Sequence, residues 1–146
     1  MTDKYPLRDR AGAVVGLVGT LQSFQDRRRQ LAHLGPVGAA ADYIEGRLDT
    51  PLSLGEVAAA VGYSDRHLER LFRQVFGMSV WRFVVRSRVH AASRALTQTD
   101  RSITQVALAY GFCDASAFGR AFRAVTGESP REYRRRHLDR VVPPAK

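Results

Sequence analysis

Residues 52–79, LSLGEVAAAVGYSDRHLERLFRQVFGMS, decide the fold, because residues 102–129, SITQVALAYGFCDASAFGRAFRAVTGES, repeat their pattern. Ser53, Val57, Ala58, Ala60 and Gly62 recur 49 positions later as Ser102, Val106, Ala107, Ala109 and Gly111. Past that glycine the offset becomes 50, and Arg70, Phe72, Arg73, Val75, Gly77 and Ser79 recur as Arg120, Phe122, Arg123, Val125, Gly127 and Ser129. The extra residue falls in a turn, where an insertion disturbs packing least. Each unit is a short helical stretch, a glycine-led turn and a second helical stretch, which are the dimensions of a helix-turn-helix. Repeated helical hairpins also build solenoids, but those need three or more units in tandem. Here there are two, separated by a long helical segment.

Within each unit the small residues Ala58 and Ala107 let the second helix approach the first, and Tyr63 and Phe112 fill the corner after the turn. Leu68, Leu71, Phe72 and Val75 form an apolar stripe on the second helix, matched by Phe118, Ala121, Phe122 and Val125. The opposite face carries Arg66, Glu69, Arg70 and Arg73 at i, i+3, i+4 and i+7, matched by Ser116, Gly119, Arg120 and Arg123. An arginine face of this kind is either a solvated surface or a contact surface for a polyanion.

Outward from the repeat, the chain is punctuated by helix caps. Pro36, at a first helical position, opens a helix to about Leu48. Ser53 with Glu56 is a capping box whose helix ends at Gly62. Ser64 caps a helix to Gly77, and Ser79 opens a long linker helix to about Thr97. Ser102 with Gln105 is a second capping box, closed by Gly111. Asp114 caps the next helix, to Gly127, and Ser129-Pro130-Arg131-Glu132 opens the last, to about Leu138. The expected fold is therefore mainly α: seven helices between Pro36 and Leu138, with helix-turn-helix units at about 53–77 and 102–127 joined by the linker helix. A short β-hairpin precedes them, from strand Tyr5–Arg8, a turn at Asp9–Gly12 and the apolar Ala13–Ser23, followed by a charged helix over Phe24–Leu34. Residues 141–146, with Pro143-Pro144, are expected to form a flexible tail.

The charge follows the same division. The 146 residues carry 23 Lys+Arg against 14 Asp+Glu, a formal +9, with 45% hydrophobic residues. That suits one domain or two small ones with a real core. Residues 1–50 contribute +1 and residues 51–140 contribute +7, every basic side chain of the latter being Arg. A GC-rich genome explains the choice of Arg over Lys equally well, though not where the charge lies. No apolar run approaches 18 residues and no basic-then-apolar leader is present, so the expected location is the cytoplasm, at the nucleoid, with no membrane contact. The single Cys113 excludes an internal disulfide and a multi-cysteine metal site. His33, His67, His90 and His137 have no metal-ligand spacing, and no glycine-rich phosphate loop precedes a lysine. No catalytic residues, metal or cofactor are therefore expected. Cys113 reads as a neutral turn residue or a redox-sensitive one, and His67 as a packing or phosphate-facing residue. Trp81 and Phe83 are expected to pack in the core of the linker helix.

Residues 36–138 resemble the DNA-binding domain of the AraC/XylS family of bacterial transcription regulators. The matching pieces are the stretch at 52–79, R-V-x-x-A-x-x-A-L at Arg88–Leu96, and SITQVALAYGFCDASAFGRAFRAVTGESPREYR at 102–134. The resemblance implies an AraC-type domain over 36–140 whose two recognition helices enter successive major-groove segments of double-stranded DNA, with RNA polymerase as a further partner. Carried over by position, the base-reading residues are Arg66, Glu69 and Arg70 in the first unit, and Ala115, Ser116, Ala117 and Arg120 in the second. Arg66 and Arg70 suit guanine O6/N7, while Glu69 either accepts from cytosine N4 or orients the arginines. Ala115 and Ala117 offer only methyl contacts, so the second unit is expected mainly to grip phosphate. Phosphate contacts are assigned to Arg73, Arg82, Arg86, Arg123, Arg131, Arg134, Arg135 and Arg136. For the last three, interaction with the dipole of their own helix is the competing reading.

YPLRDRAGAVVGLVGTLQSFQDRRR, residues 5–29, resembles the last two strands and exit helix of a PAS sensor domain. Residues 1–35 are thus expected to be the remnant of such a domain, shortened by truncation, a misplaced start or gene decay. They build no ligand pocket, so no cofactor is carried over. The expected function is sequence-specific DNA binding by a transcription regulator. The alternative is a truncated regulatory fragment that pairs with another protomer or a full-length regulator through its N-terminal hairpin and helix, by self-association.

Overall fold

The computed structural model describes residues 35–141, with the side chains of 35–138, together with the backbone of residues 5–8 and 14–18. Seven helices stand among the described residues: α1 Gly35–Glu45, α2 Leu54–Ala60, α3 Asp65–Phe76, α4 Val80–Gln98, α5 Ile103–Ala109, α6 Ala115–Thr126 and α7 Pro130–Val141. Helix α1 stops short of Leu48 because the chain tightens at Gly46, where Arg47 N–H donates to Ile44 O at 3.0 Å.

The caps act as the sequence anticipates. At α2 the Glu56 amide donates to Ser53 Oγ at 3.2 Å while the Ser53 amide donates to Glu56 Oε2 at 2.8 Å. Ser102 and Gln105 repeat the exchange at α5, at 3.1 and 2.9 Å, and Ser129 and Glu132 repeat it at α7, at 3.3 and 2.8 Å. Each exchange satisfies two backbone or side-chain donors that a helix start would otherwise leave without partners. Ser64, Ser79 and Asp114 cap α3, α4 and α6. The two turns match to the level of single bonds. Gly62 (φ 73°) and Gly111 (φ 75°) take the left-handed conformation, and the next amide folds back, Tyr63 N–H to Ala58 O at 2.9 Å and Phe112 N–H to Ala107 O at 3.0 Å.

Two hydrophobic cores result. Val37, Ala40, Ala41, Ile44, Val57, Ala58, Leu68, Phe72 and Phe76 form the first, into which α4 sends Val80, Phe83 and Val84. Phe83 meets Phe72 edge to face at 5.3 Å between ring centroids. Val106, Ala107, Phe118 and Phe122 form the second, completed from α4 by Val89, Ala92, Ala95 and Leu96. One half of α4 therefore belongs to each unit. Every fully buried aromatic or aliphatic side chain contributes about 1.5–3 kcal/mol, so neither unit is complete without its half of α4.

Trp81 departs from expectation. Phe83 is buried, but Trp81 is 56% exposed, because Val80, Phe83 and Val84 occupy the i, i+3 and i+4 positions that face the core and Trp81 falls off that stripe. Its ring borders a groove with Leu52, Leu54, Val57, Val80 and Val84.

At the N-terminal end two backbone segments, Tyr5–Arg8 (β1) and Val14–Val18 (β2), are extended and paired antiparallel. Two short strands cannot form a domain, so the architecture that stands is the helical one. The expected turn at 9–12, the helix over 24–34 and the tail at 142–146 lie outside the described residues.

Candidate nucleic-acid interface

The exposed face of α3 is set by its stripe. Leu68 and Phe72 turn inward with no exposure, so Arg66, Arg70 and Arg73 emerge on the other side, all exposed. Ser64, Arg66, His67, Glu69, Arg70, Arg73 and Gln74 line one shallow depression there. His67 lies flat on Tyr63, with centroids 4.6 Å apart and 15° between planes, and its Nδ1 is 3.3 Å from Arg70 Nη2. The turn residue Tyr63 thus supports an imidazole that steadies Arg70, giving His67 the packing role.

Glu69, in the lining of that depression, has a partner for each carboxylate oxygen. Its Oε2 accepts from the Val80 amide at 3.2 Å, and its Oε1 is 3.6 Å from Arg73 Nη2. One oxygen is held at the positive start of α4 and the other faces an arginine.

In α6, Ser116 and Arg120 are exposed and Ala115 and Ala117 are half-buried. Asp114 Oδ1 accepts from the Ala117 amide at 2.7 Å. That backbone bond, with Arg120 nearby adding a smaller contribution, holds the Asp114 carboxyl below its usual value. Gly119, which replaces Glu69 in the repeat, leaves open space where a Cβ would stand. This face presents two arginines, Arg120 and Arg123, among small residues, where α3 presents three arginines.

The residues assigned to phosphate divide into two groups. Arg73, Arg82, Arg123, Arg131 and Arg135 are exposed, Arg123 lying 3.7 Å from Glu132. Arg86 is half-buried, and burial, with Arg82 beside it, lowers the pKa of its guanidinium. Arg136 is paired with Glu128 at 2.5 Å. Arg134 donates through Nε to Leu96 O at 2.8 Å and through Nη2 to Arg101 O at 2.6 Å, so it clamps α7 onto the end of α4. The own-helix dipole reading does not describe Arg134, whose acceptors lie in α4 and the following turn.

Sequence reasoning gave no site role to Arg88. It is 5% exposed and donates from Nη1 to Gly111 O at 2.9 Å and from Nη2 to Thr50 O at 2.8 Å. A signal existed: positions 80, 84, 88, 92 and 96 form one i+4 row of α4, and a lone arginine stands among valines, alanine and leucine.

Among the described residues no cluster of His, Cys, Asp and Glu could hold a metal ion, and no helix is long and apolar enough to cross a membrane.

Comparison with known proteins agrees with this geometry. Residues 47–136 match a family model described as a helix-turn-helix domain. An uncharacterized HTH-type transcriptional regulator of Staphylococcus aureus is 38% identical over 98 residues, 67% of this chain and 13% of that protein. The chain thus spans about an eighth of the length of that curated relative. An AraC-type transcriptional regulator structure from Chromobacterium violaceum superposes with a TM-score of 0.68 at 33% identity, covering 74% of this chain and 94% of that one. The DNA-binding domain of the global transcriptional factor AdpA, solved in complex with a target DNA, gives 0.68 at 28% identity, covering 73% and 96%. The chain belongs to the helix-turn-helix regulators with an AraC-type DNA-binding domain.

Proposed function

We propose that this chain is the DNA-binding part of a bacterial transcription regulator, and that α3 and α6 read successive major-groove segments on one side of a duplex. The observation that carries the reading is the repeated presentation of α3 and α6, each capped at its start, closed by a left-handed glycine and buried along one stripe. The AdpA neighbour's complex with its target DNA supports the same partner. The 19 residues of α4 make a rod of roughly 28 Å, commensurate with the ~34 Å separating successive major-groove segments on one face.

Arg66 and Arg70 are the base readers of the first unit, with guanine the preferred edge. Ala115, Ser116, Ala117 and Arg120 face the second segment, where Arg120 supplies the strong donor. Arg73, Arg82, Arg86, Arg123, Arg131 and Arg135 supply phosphate contacts. The protein regulates rather than catalyses, it acts in the cytoplasm on the chromosome, and RNA polymerase is its further partner. Residues 1–35 are the end of a PAS-type sensor and a route to self-association, a reading supported by the strand-like sequence at 5–8 and 13–23 and the charged stretch at 24–34.

Selection of duplexes from a random pool tests the central claim. The expected product is a bipartite motif whose two elements lie about one helical turn apart. Recovery of sequences with no shared motif overturns it.

A further inference from the structure

The two helix-turn-helix units meet at one buried guanidinium. Substantial helix contacts in the described structure lie within a unit or involve α4, and none joins α2 or α3 to α5 or α6. Arg88 lies midway along α4, between the residues given to the first core and those given to the second. Its fork spans the gap, with Nη2 on Thr50 O, in the loop before α2, and Nη1 on Gly111 O, in the turn after α5. Its Nε has no hydrogen-bond partner, so the hydrogen bonding of this buried cation rests on the two carbonyls, one of them at the negative end of α5, while the Trp81 ring, 5.8 Å from Cζ, faces the guanidinium.

The repeat breaks where this fork lands. Gly62 and Gly111 are equivalent and both have positive φ, yet a Cβ on Gly62 would meet nothing within 4 Å. A Cβ on Gly111 would lie 2.7 Å from Arg88 Cζ and 2.8 Å from Leu48 O. The loop of the first unit, the arginine of the linker and the turn of the second unit are thus packed to backbone contact, which only glycine permits. A planar fork fixes two acceptors at once, and a lysine ammonium does not reproduce that geometry.

From this junction we propose that Arg88 is a positioning residue that sets the separation and angle between α3 and α6, and with them the spacing of DNA segments the protein accepts. The DNA clause rests on the function proposed above. The positional clause does not.

Two measurements on the full chain test it. Spin labels at Gln74→Cys and Ala124→Cys, equivalent exposed positions of α3 and α6, in a Cys113→Ser background report the distance between the units. One narrow distribution is expected for the parent and a broad or displaced one for Arg88→Met and for Arg88→Lys. An unchanged distribution in Arg88→Lys overturns the proposal, and that variant retains the charge should Arg88→Met fail to fold. Gly62→Asn and Gly111→Asn separate turn strain from the junction, and only the second is expected to broaden the distribution.

Binding to the selected duplex, with one base pair added or removed between its elements, reports the consequence. The parent is expected to lose about tenfold per step, and Arg88→Lys to discriminate by no more than about threefold while keeping its affinity for a single element. Discrimination at the parental level overturns the proposal. A parent that binds every duplex alike, with the distance still broadened by Arg88→Lys, instead sinks the DNA reading and leaves the positional role standing.

Discussion

Glu69 Oε2 accepts from the backbone amide of Val80 at 3.2 Å, so helix α3 supplies a cap to the linker helix α4. The same carboxylate lies 3.6 Å from Arg73 Nη2. Glu69→Ala leaves a half-buried amide at the first turn of α4 without its acceptor and releases Arg73. A loss of about 0.5–2 kcal/mol in urea denaturation is expected, with the selected DNA motif unchanged. Unchanged stability with a relaxed preference at one base pair would return Glu69 to the base-reading set.

Arg70 and Arg73 lie on one face of α3 but are held differently, Arg70 near His67 at 3.3 Å and Arg73 near Glu69. Arg70→Ala is expected to weaken the selected duplex by about 1–3 kcal/mol and to relax the preference at one position. Arg73→Ala is expected to weaken all duplexes alike and to lower the salt slope by about one. Fluorescence anisotropy on selected and scrambled duplexes at several salt concentrations measures both. Equal losses on the two duplexes for Arg70→Ala would remove it from the base readers.

The helices and both units were legible because their signals are local: capping boxes at Ser53, Ser102 and Ser129, stop glycines, and a stripe at 3.6-residue period. What was not legible depends on which unit a residue of α4 faces. Trp81 reads as core by residue type and is exposed, since a one-residue offset from the stripe outweighs apolar character. Arg88 and Arg134 read as surface cations by type, but each donates to carbonyls at least 23 residues away in sequence. The α3 arginines could be placed because a surface face follows directly from the stripe opposite it. Their roles on DNA need the partner as well as the fold.

Gly119 sits inside α6 with open space where its Cβ would be and without a positive φ. Glycine in a helix interior carries the largest backbone entropy loss of any residue, so the backbone gives no reason to keep it. Gly119→Ala is expected to raise stability by about 0.5–1 kcal/mol in urea denaturation. Its matched partner Glu69 shows that a side chain is tolerated at this register. A loss of stability would mean that α6 packs more closely at Gly119 than its open surroundings indicate.

Asp114 supplies the start of α6 with a carboxylate whose pKa is held below the ordinary aspartate value, first by the Ala117 amide. A group whose folded pKa is depressed adds stability above its unfolded pKa and loses it as the pH falls through the folded value. The contribution is therefore complete at pH 7 and disappears below the ordinary aspartate range. Asp114→Asn keeps an amide-accepting cap but removes the charge, so its deficit against the parent should be visible at pH 7 and should be smaller at pH 3. Urea midpoints at the two pH values measure the gap. Gln105, at the third position of the α5 box, carries no charge, so Gln105→Ala should show a deficit of the same size at both pH values. A deficit for Asp114→Asn that stays constant would mean the cap acts through its hydrogen bond alone, without the carboxylate charge.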